Sequence, residues 1–496
     1  MSTIGGIART VAGMIGGEQR DPHPRDSLWE IDDVPRFASV LPYEMFDSAS
    51  EIYSLANPDG NQDAIGFCVE ALCQVGVNSQ LESALQNLPG LLPEGACLQV
   101  GMFACASVER RLSRYARLRP DQSGSGRAAG VFRRLVRRRY QCFSGLDGEL
   151  RPRDYRLVFS VTLPGQIDSA ASARLQSVRQ GLEALLNSCG MPCWTLVPEE
   201  LIGLLAPFLN PNAPGRRVYE YDPARLLADQ IVLRDTRIEV GSSSLNVSGD
   251  GRPHSLAALA ATSYPPALSL AGMGYLLGDP LRCQLGYRGP FAIVMCCRIL
   301  PDESSRSMTA VRAARANSNA NSPMARLSPS HYRRQMEDWQ LANEVIAAGG
   351  GLAHLAHYVL LAAPDGQLPS ALEAARSIWR TRGFTLAGCE FMQTQGLLAT
   401  LPMTMTVDFA ADLRRTGWLG RKTTYNIIHS LPIIGEWKGT RNPAMMMIAR
   451  RGQLVQLDIF DSPGNYNVVV SGSSGTGKSV LLNEIACAYL GLGPQV

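Results

Sequence analysis

Lysine is nearly absent from this chain of 496 residues, although basic side chains are not. Lys422, Lys438 and Lys478 are its three lysines, and the other forty-four of the forty-seven basic residues are arginines. General positive charge is therefore supplied by arginine. Some motifs need a compact ammonium group on a flexible stem, which a planar guanidinium does not replace. Because lysine is so rare here, a lysine inside such a motif indicates more than surface charge.

Long apolar runs are also missing, since nowhere do eighteen apolar residues follow one another. The N-terminus has no charged segment followed by a continuous apolar core, so neither a membrane span nor an export signal is visible. Ile4, Ile7, Val11 and Ile15 do fall at helical spacing among several glycines. We expect residues 1–22 to form a flexible or amphipathic segment that contacts a partner or a membrane surface.

No C-x-x-C sequence occurs among the twelve cysteines, and no histidine lies at ligand spacing from the close pair Cys189 and Cys193. This pattern favours reduced and mostly buried thiols over a metal site or a disulfide framework. His354 and His357 alternate with apolar residues in a predicted strand. They are therefore predicted to be core or interface histidines rather than metal ligands.

Bulk composition indicates a large multidomain protein. Hydrophobic residues make up 45% of the chain and charged residues 18%, which suffices for real cores and argues against disorder. The length suggests about three domains.

Positive charge is concentrated locally, although the net charge is only +3. Two short helices are predicted on either side of the flexible linker 121–126. They carry an arginine cluster formed by Arg110, Arg111, Arg114, Arg117, Arg119, Arg133, Arg134, Arg137, Arg138 and Arg139. The cluster suits an anionic lipid, a nucleic acid or an acidic protein surface, or else forms a solvated face paired with local acids. Nucleic-acid binding is not inferred, because few aromatic residues are interleaved with it.

The strand-helix alternation of the chain occurs twice in a similar order. Each copy reads strand, helix, strand, helix, and each final helix is followed closely by proline. We interpret the two copies as related β-α-β-α modules. The predicted elements are 155–163, 169–188, 192–197 and 199–209 in the first module, and 354–363, 370–382, 384–388 and 390–400 in the second. Further strands are predicted at 230–240 and 291–300.

A complete phosphate-binding loop, G-x-x-x-x-G-K-[ST], occupies residues 472–479. A predicted strand at 466–471 precedes it and a predicted helix at 480–490 follows it. The residues predicted to bind the cofactor are Gly472, Ser473, Ser474, Gly475, Thr476, Gly477, Lys478 and Ser479. Glycine allows the backbone N–H groups to approach a phosphate, and the helix N-terminus is partially positive. Lys478 is the predicted catalytic residue at the β- and γ-phosphates, and Ser479 the predicted Mg²⁺ ligand, so ATP and Mg²⁺ are the expected cofactors.

The segment that leads into the loop carries a family resemblance. It contains L-P-I-I-G-E-W-K-G at 431–439, R-R-G-Q at 450–453, D-I-F-D-S at 458–462 and G-N-Y-N at 464–467. Together with the P-loop, this segment resembles TraC-type conjugative-transfer ATPases of type IV secretion systems, in particular the F-type TraC family.

The resemblance implies a cytoplasmic ATPase that lies peripherally at the inner membrane of a bacterium and forms hexamers. Its N-terminal α+β domain would contact other secretion subunits at the inner membrane. Its RecA-like C-terminal domain would bind Mg-ATP, and hydrolysis would power pilus assembly and the transfer of DNA or protein.

One departure from the family pattern concerns the catalytic machinery. A RecA-like core needs a Walker B aspartate, a catalytic glutamate and an arginine finger, and the seventeen residues after Ser479 cannot hold them. We therefore expect these 496 residues alone to bind ATP poorly and not to hydrolyse it, with ATPase activity in the full-length protein. Two alternatives remain open: an assembly scaffold without turnover, and a DNA-pumping coupling protein of the same P-loop superfamily.

The predicted fold class combines α/β and α+β structure. An N-terminal α+β region with the repeated modules is followed by the first strand, P-loop and helix of a truncated RecA-like P-loop NTPase domain. The predicted units are the N-terminal segment 1–22, a docking domain at 23–285 with the arginine-rich helices, a second α+β module at 286–430, and the incomplete ATPase domain at 431–496.

Overall fold

The computed structural model describes residues 36–56, 63–106, 108–119, 126–145, 152–167, 169–211, 219–282, 286–323, 329–461 and 464–492. The predicted N-terminal segment 1–22 lies outside these ranges. The strands are β1 (Tyr43–Asp47), β2 (Ile52–Leu55), β3 (Ala64–Ala71), β4 (Cys97–Cys105), β5 (Asp154–Pro164), β6 (Cys193–Thr195), β7 (Arg237–Val240), β8 (Leu245–Ser248), β9 (His254–Ser263), β10 (Phe291–Ile299), β11 (Leu352–Pro364), β12 (Thr385–Gly388), β13 (Gly420–Thr423), β14 (Met445–Ile448) and β15 (Leu454–Leu457).

The helices connect these strands or cover their faces. They are α1 (Ser79–Leu85), α2 (Leu88–Leu91), α3 (Glu109–Arg117), α4 (Gly126–Gln141), α5 (Ala170–Ser188), α6 (Pro198–Leu209), α7 (Ala228–Ile231), α8 (Leu270–Gly274), α9 (Asp302–Ala320), α10 (Pro329–Ala347), α11 (Leu368–Arg380), α12 (Gln393–Thr400), α13 (Val407–Arg415), α14 (Thr424–His429) and α15 (Lys478–Leu492).

The central strands are apolar on both faces because helices cover both sides of the sheet. Every residue of β3 and β4 is buried, as are nearly all residues of β10 and β11. Successive side chains point to opposite faces. In β10, Ile293 and Met295 lie in one core cluster, whereas Val294 and Cys296 lie in the other. Two hydrophobic cores therefore sandwich a single sheet.

The sheet is built from two halves with the same strand order. From its centre outward, the first half runs β4, β5, β3, β2, β1, and the second runs β10, β11, β9, β8, β7. In both halves a further strand joins the third position, with β6 on β3 and β12 on β9. Along the chain, both halves also insert two helices at the same place. Helices α3 and α4 lie between β4 and β5, and α9 and α10 lie between β10 and β11. The halves meet where β4 pairs antiparallel with β10.

The two predicted β-α-β-α modules are confirmed as elements of these halves. The first is β5-α5-β6-α6 and the second is β11-α11-β12-α12. The internal similarity extends beyond the predicted modules, because it includes the strands that precede them. The predicted domain boundaries stay a prediction, although one continuous sheet joins strands from both predicted α+β units.

The fold is mixed α/β with a mainly antiparallel sheet, and two predicted strands are wrong in whole or in part. Residues 466–471 form no strand, and Val468 and Val469 are 45% and 88% exposed. An extended segment becomes a strand only when a neighbour pairs with its backbone, and within the described ranges none does. In the predicted strand 230–240, the first two residues belong to the end of α7. Strand pairing begins only at Arg237. The predicted strand 291–300 is confirmed as β10.

The segment 431–439 forms a strap that connects the sheet to the β14-β15 hairpin. Its backbone pairs with Gln74, which accepts from the Gly435 N–H at 2.7 Å and donates to the Ile433 carbonyl at 3.0 Å. A Cβ at Gly435 would lie 2.8 Å from the Cβ of Cys73, so glycine allows the strap to approach this closely. The quoted L-P-I-I-G-E-W-K-G sequence therefore fixes the position of the hairpin that precedes the P-loop.

Candidate nucleotide-binding site

The P-loop at 472–479 has the backbone conformation that its glycines permit. Gly475 and Gly477 adopt φ angles of +79° and +88°, in the left-handed region that residues with a Cβ rarely occupy. Helix α15 then begins at Lys478. The two glycines thus turn the chain immediately before a helix N-terminus, whose free N–H groups attract anions.

Gly472 is required for a different reason, namely close packing within the loop. A Cβ at this position would lie 2.8 Å from Thr476 Oγ1 and 3.6 Å from Lys478 Cγ. Thr476 Oγ1 donates a hydrogen bond to the Ser473 carbonyl at 2.8 Å. The first and last parts of the loop are consequently held together by their own atoms.

Lys478 reaches back across the loop. Its Nζ donates to the carbonyl oxygens of Gly472 at 2.9 Å and of Ser473 at 2.6 Å. The ammonium group therefore lies against the first residues of the loop, and a bound phosphate would give it a charge-assisted partner. Ser473, Ser474 and Ser479 are exposed. The eight predicted residues are consecutive in the chain, and Lys478 and Ser479 form the first turn of α15. Their binding of phosphate and Mg²⁺ stays a prediction.

Helix α15 docks on the arginine-rich helices from its middle to its C-terminal end. Ala488 is fully buried, and Glu484 forms an ion pair with Arg139. The Tyr140 hydroxyl donates to Glu484 Oε1 at 2.5 Å. Burial and the neighbouring Glu484 carboxylate raise the pKa of Tyr140, so its hydroxyl stays protonated as a donor.

Arg119 joins three parts of the chain from a fully buried position. Its guanidinium donates to the carbonyls of Tyr115 at 3.2 Å and Ala488 at 3.3 Å, and also to the carbonyl of Ala444 just before β14. It stacks on the Tyr115 ring with 3.8 Å to the ring centroid. The end of α3, the hairpin and the P-loop helix are thus fixed to one side chain.

Other members of the predicted arginine cluster also make structural contacts. Arg111 pairs with Asp154 at 2.9 Å, and Arg114 donates to the Arg441 carbonyl at 3.3 Å. The two predicted helices are confirmed as α3 and α4, but the side chain of Arg110 lies outside the described residues. Arg117, Arg134 and Arg138 are exposed. Part of the cluster therefore holds the hairpin and α15 in place, and binding of an external anion by the rest stays a prediction.

Lys438 enters a buried ion network that sequence reasoning missed. Its Nζ lies 3.5 Å from Asp154 Oδ1 and 3.8 Å from Glu70 Oε1, while Arg156 pairs with Glu70 at 2.6 Å. Burial raises the pKa of the Asp154 carboxyl, but the positive charges of Lys438 and Arg111 outweigh burial and hold this pKa well below its usual range. The only sequence signal was the rarity of lysine, and it did not identify the carboxylates.

His354 and His357 lie buried in β11, which confirms their prediction as core residues. In the part of the chain that the structure describes, no group of three or more histidine, cysteine, aspartate or glutamate side chains could hold a metal ion. The described cysteines are free thiols, and most of them are buried. Every helix within the described ranges is too short or too polar to cross a bilayer.

Comparison with known proteins places the chain in a family. The family model described as "TraC protein" matches residues 37–405, which cover both halves of the sheet and end before the P-loop. Protein TraC of Escherichia coli (strain K12) is 23% identical over 486 residues, an alignment that covers 92% of this chain and 54% of that protein. The chain therefore spans about half the length of this curated relative. Since the family model matches well over half of the chain, the chain belongs to the TraC family.

Proposed function

We propose that this protein is the Mg-ATP-binding subunit of a conjugative type IV secretion system. The observation that carries the proposal is the P-loop, in which the Lys478 ammonium donates to the carbonyl oxygens of Gly472 and Ser473 at the start of the loop. Membership of the TraC family supports the conjugative setting.

In this proposal each part of the loop has a defined task. The backbone N–H groups of Gly475, Thr476 and Gly477 surround the β-phosphate, and the ammonium of Lys478 neutralises charge on the β- and γ-phosphates. The Ser479 hydroxyl is the ligand for Mg²⁺, which when bound would neutralise negative charge on the same phosphates.

Hydrolysis belongs to the complete protein in this proposal. Attack of water on the γ-phosphate needs an acidic residue near Mg²⁺ and a group that orients the water, in addition to the P-loop. A hexamer that lies peripherally at the inner membrane would use this step to power pilus assembly and transfer of DNA or protein. Its partners would be other type IV secretion subunits of that membrane.

The docking of α15 would couple nucleotide binding at the loop to the position of the helices inserted in the sheet. Lys478 lies at one end of α15, and Glu484 and Ala488 bind Arg139, Tyr140 and Arg119 further along it. A nucleotide-dependent movement of the helix would therefore change the position of α3 and α4. These helices are inserted between two central strands, so the movement would reach the region that we propose to dock on other subunits.

A second candidate is an assembly scaffold without turnover. It is favoured by the extent of the family match, which covers the sheet at 37–405 and not the loop. In that case the sheet would recruit secretion subunits, and the P-loop would not be needed for assembly.

Lys478→Ala in the complete protein separates the two candidates. As a motor residue, Lys478 contributes charge stabilisation to phosphoryl transfer, so its loss should lower conjugative transfer by about two orders of magnitude or more. The frequency of transfer between donor and recipient cells measures this, at matched protein levels. Asn483→Ala is a control because Asn483 is exposed on the same helix. Normal transfer with Lys478→Ala, alongside normal recruitment of partner subunits, would favour the scaffold and contradict the motor.

A further inference from the structure

The two halves of the sheet carry inserted helix pairs of very different charge. Helices α3 and α4 in the first half contain ten arginines and one glutamate, whereas α9 and α10 in the second half contain five arginines and five acidic residues. The segments around α3 and α4 do not change this, because residues 109–151 as a whole hold twelve arginines against four acidic residues. Since the equivalent insertion in the second half has no such excess of charge, the fold by itself does not require it.

Contacts inside the molecule account for only part of the arginines on α4. Arg139 pairs with a carboxylate of α15, and Arg133 and Arg137 also have partners. Arg134 and Arg138, by contrast, are exposed, and within the described ranges no carboxylate pairs with either side chain. These two arginines are therefore available to a partner outside the molecule.

The exposed side of α4 combines arginine with aliphatic residues. Val131 and Leu135 are 52% and 53% exposed, and Arg134 and Arg138 lie among them. Residues three and four positions apart are neighbours on a helix, so these four side chains form one face, which we call the basic-apolar face. The solvent side of a surface helix is usually polar. Two exposed aliphatic side chains one turn apart therefore indicate a contact surface.

The opposite side of α4 is occupied by the molecule itself. Val136 and Tyr140 lie one turn apart and are buried, and the Tyr140 hydroxyl donates to Glu484 of α15 at 2.5 Å. At 3.6 residues per turn, these two residues lie across the helix from the basic-apolar face. A partner bound to that face would therefore leave the contact between α4 and the P-loop helix in place.

We propose that the basic-apolar face of α4 binds an anionic membrane surface. A helix with this pattern lies in the plane of the interface, with its arginines at the lipid phosphates and its aliphatic side chains at the boundary of the acyl chains. The apolar stems of Arg134 and Arg138 suit the same boundary. The inference rests on the peripheral location given under the proposed function, and it assigns that location to a defined surface of the first half of the sheet.

Two observations favour a lipid surface over a nucleic acid. Proteins that bind single-stranded nucleic acid stack bases on exposed aromatic rings, yet Tyr115 and Tyr140 are buried and pack on each other with 4.7 Å between ring centres. Val131 and Leu135 offer no hydrogen bond or charge to a phosphate backbone, whereas they fit the apolar side of a headgroup layer.

The test is sedimentation of the 496-residue protein with vesicles of phosphatidylcholine and phosphatidylglycerol in equal parts, and with vesicles of phosphatidylcholine alone. The unmodified protein should bind the anionic vesicles, and binding should weaken with added salt. The double variant Arg134→Gln with Arg138→Gln should lower the partition coefficient about tenfold or more. The control Arg306→Gln with Arg315→Gln removes the same charge from exposed positions of α9 and should bind normally.

A second pair of variants separates a lipid from other polyanions. Val131→Ser with Leu135→Ser keeps every charge and removes the aliphatic side chains, so it should also lower vesicle binding about tenfold or more. Its control is Val311→Ser with Leu341→Ser, at positions of α9 and α10 that are 67% and 60% exposed, and it should bind normally. Far-UV circular dichroism checks that each variant keeps its helices.

The proposal is overturned if the unmodified protein does not bind the anionic vesicles, or if either α4 variant binds them as the unmodified protein does. Because residues 1–22 are also predicted to contact a membrane, the α4 variants decide the question. Binding of a DNA duplex, with no binding of vesicles, would make a nucleic acid the partner and would also overturn the proposal. Lys478→Ala should bind vesicles normally, so a failure here and a failure of nucleotide binding are separate results.

Discussion

At the scale of single residues, His357 shows how burial fixes one protonation state. Its Nε2 lies 2.8 Å from the Ser430 carbonyl, and its Nδ1 lies 3.2 Å from the Tyr264 hydroxyl. A carbonyl only accepts, so Nε2 carries the proton and Nδ1 accepts from Tyr264. The ring is fully buried, and burial lowers the pKa of His357 to about 4.

This low pKa predicts a loss of stability in mild acid. In the unfolded chain histidine takes up a proton near pH 6.5, whereas folded His357 does so only near pH 4. The unfolded state therefore binds more protons between these values, and His357 alone should lower the free energy of unfolding by about 3 kcal/mol as the pH drops from 6.5 to 4. His354, whose pKa burial also lowers to about 4, adds a loss of the same sign. Urea unfolding at several pH values measures this.

His357→Gln provides the comparison, because glutamine does not titrate. Its free energy of unfolding should depend less on pH across this window than that of the unmodified protein. His331→Gln, at an exposed position of α10, should leave the pH dependence as it is. Equal slopes for His357→Gln and the unmodified protein would contradict the assignment.

The three lysines illustrate what single residues reveal before a structure is known. The loop motif identified Lys478 in the sequence, but not that its ammonium would donate to the carbonyls of Gly472 and Ser473. Lys438 belongs to a buried network and Lys422 lies 4.9 Å from the centre of the Tyr264 ring. Neither contact is readable from sequence, because each partner comes from a distant part of the chain.

At the scale of elements, helices and long strands could be predicted because their signal is local. The predicted helix 480–490 corresponds to α15, and the predicted strand 354–363 lies within β11. The predicted strand 466–471 has equally strong β-branched residues, yet it stays unpaired. Propensity describes how well a segment fits a sheet, whereas the sheet itself depends on a neighbouring strand.

The docking of α15 leads to a prediction at this scale. Glu484→Ala removes the acceptor of Arg139 and Tyr140, and loss of a charged hydrogen-bond partner costs about 1–3 kcal/mol. Amide hydrogen exchange in 478–492 should become faster, while exchange in β4 and β10 stays unchanged. Asn483→Ala is the matched control on the same helix and should leave both regions unchanged. Normal exchange in 478–492 for Glu484→Ala would show that other contacts hold the helix.

At the scale of the whole molecule, two similar halves share one sheet and carry different additions. The inserted helices of the first half hold α15, whereas those of the second half, α9 and α10, pack against each other. The sequence predicted a repeated module, but not that β4 and β10 would join the halves. Strand order and cross-strand register depend on contacts between distant segments, so the pairing of Arg298 in β10 with His354 in β11 could not be foreseen.

The most direct test of the proposed function is the binding of Mg-ATP to the 496-residue protein by isothermal titration calorimetry. The exposed loop should bind Mg-ATP weakly, and Lys478→Ala should lower the affinity by about tenfold or more, because a charged donor to the phosphates is lost. Asn483→Ala, at an exposed position of the same helix, is the matched control and should leave the affinity unchanged. An affinity for Mg-ATP that is the same with and without the Lys478 ammonium would contradict the account.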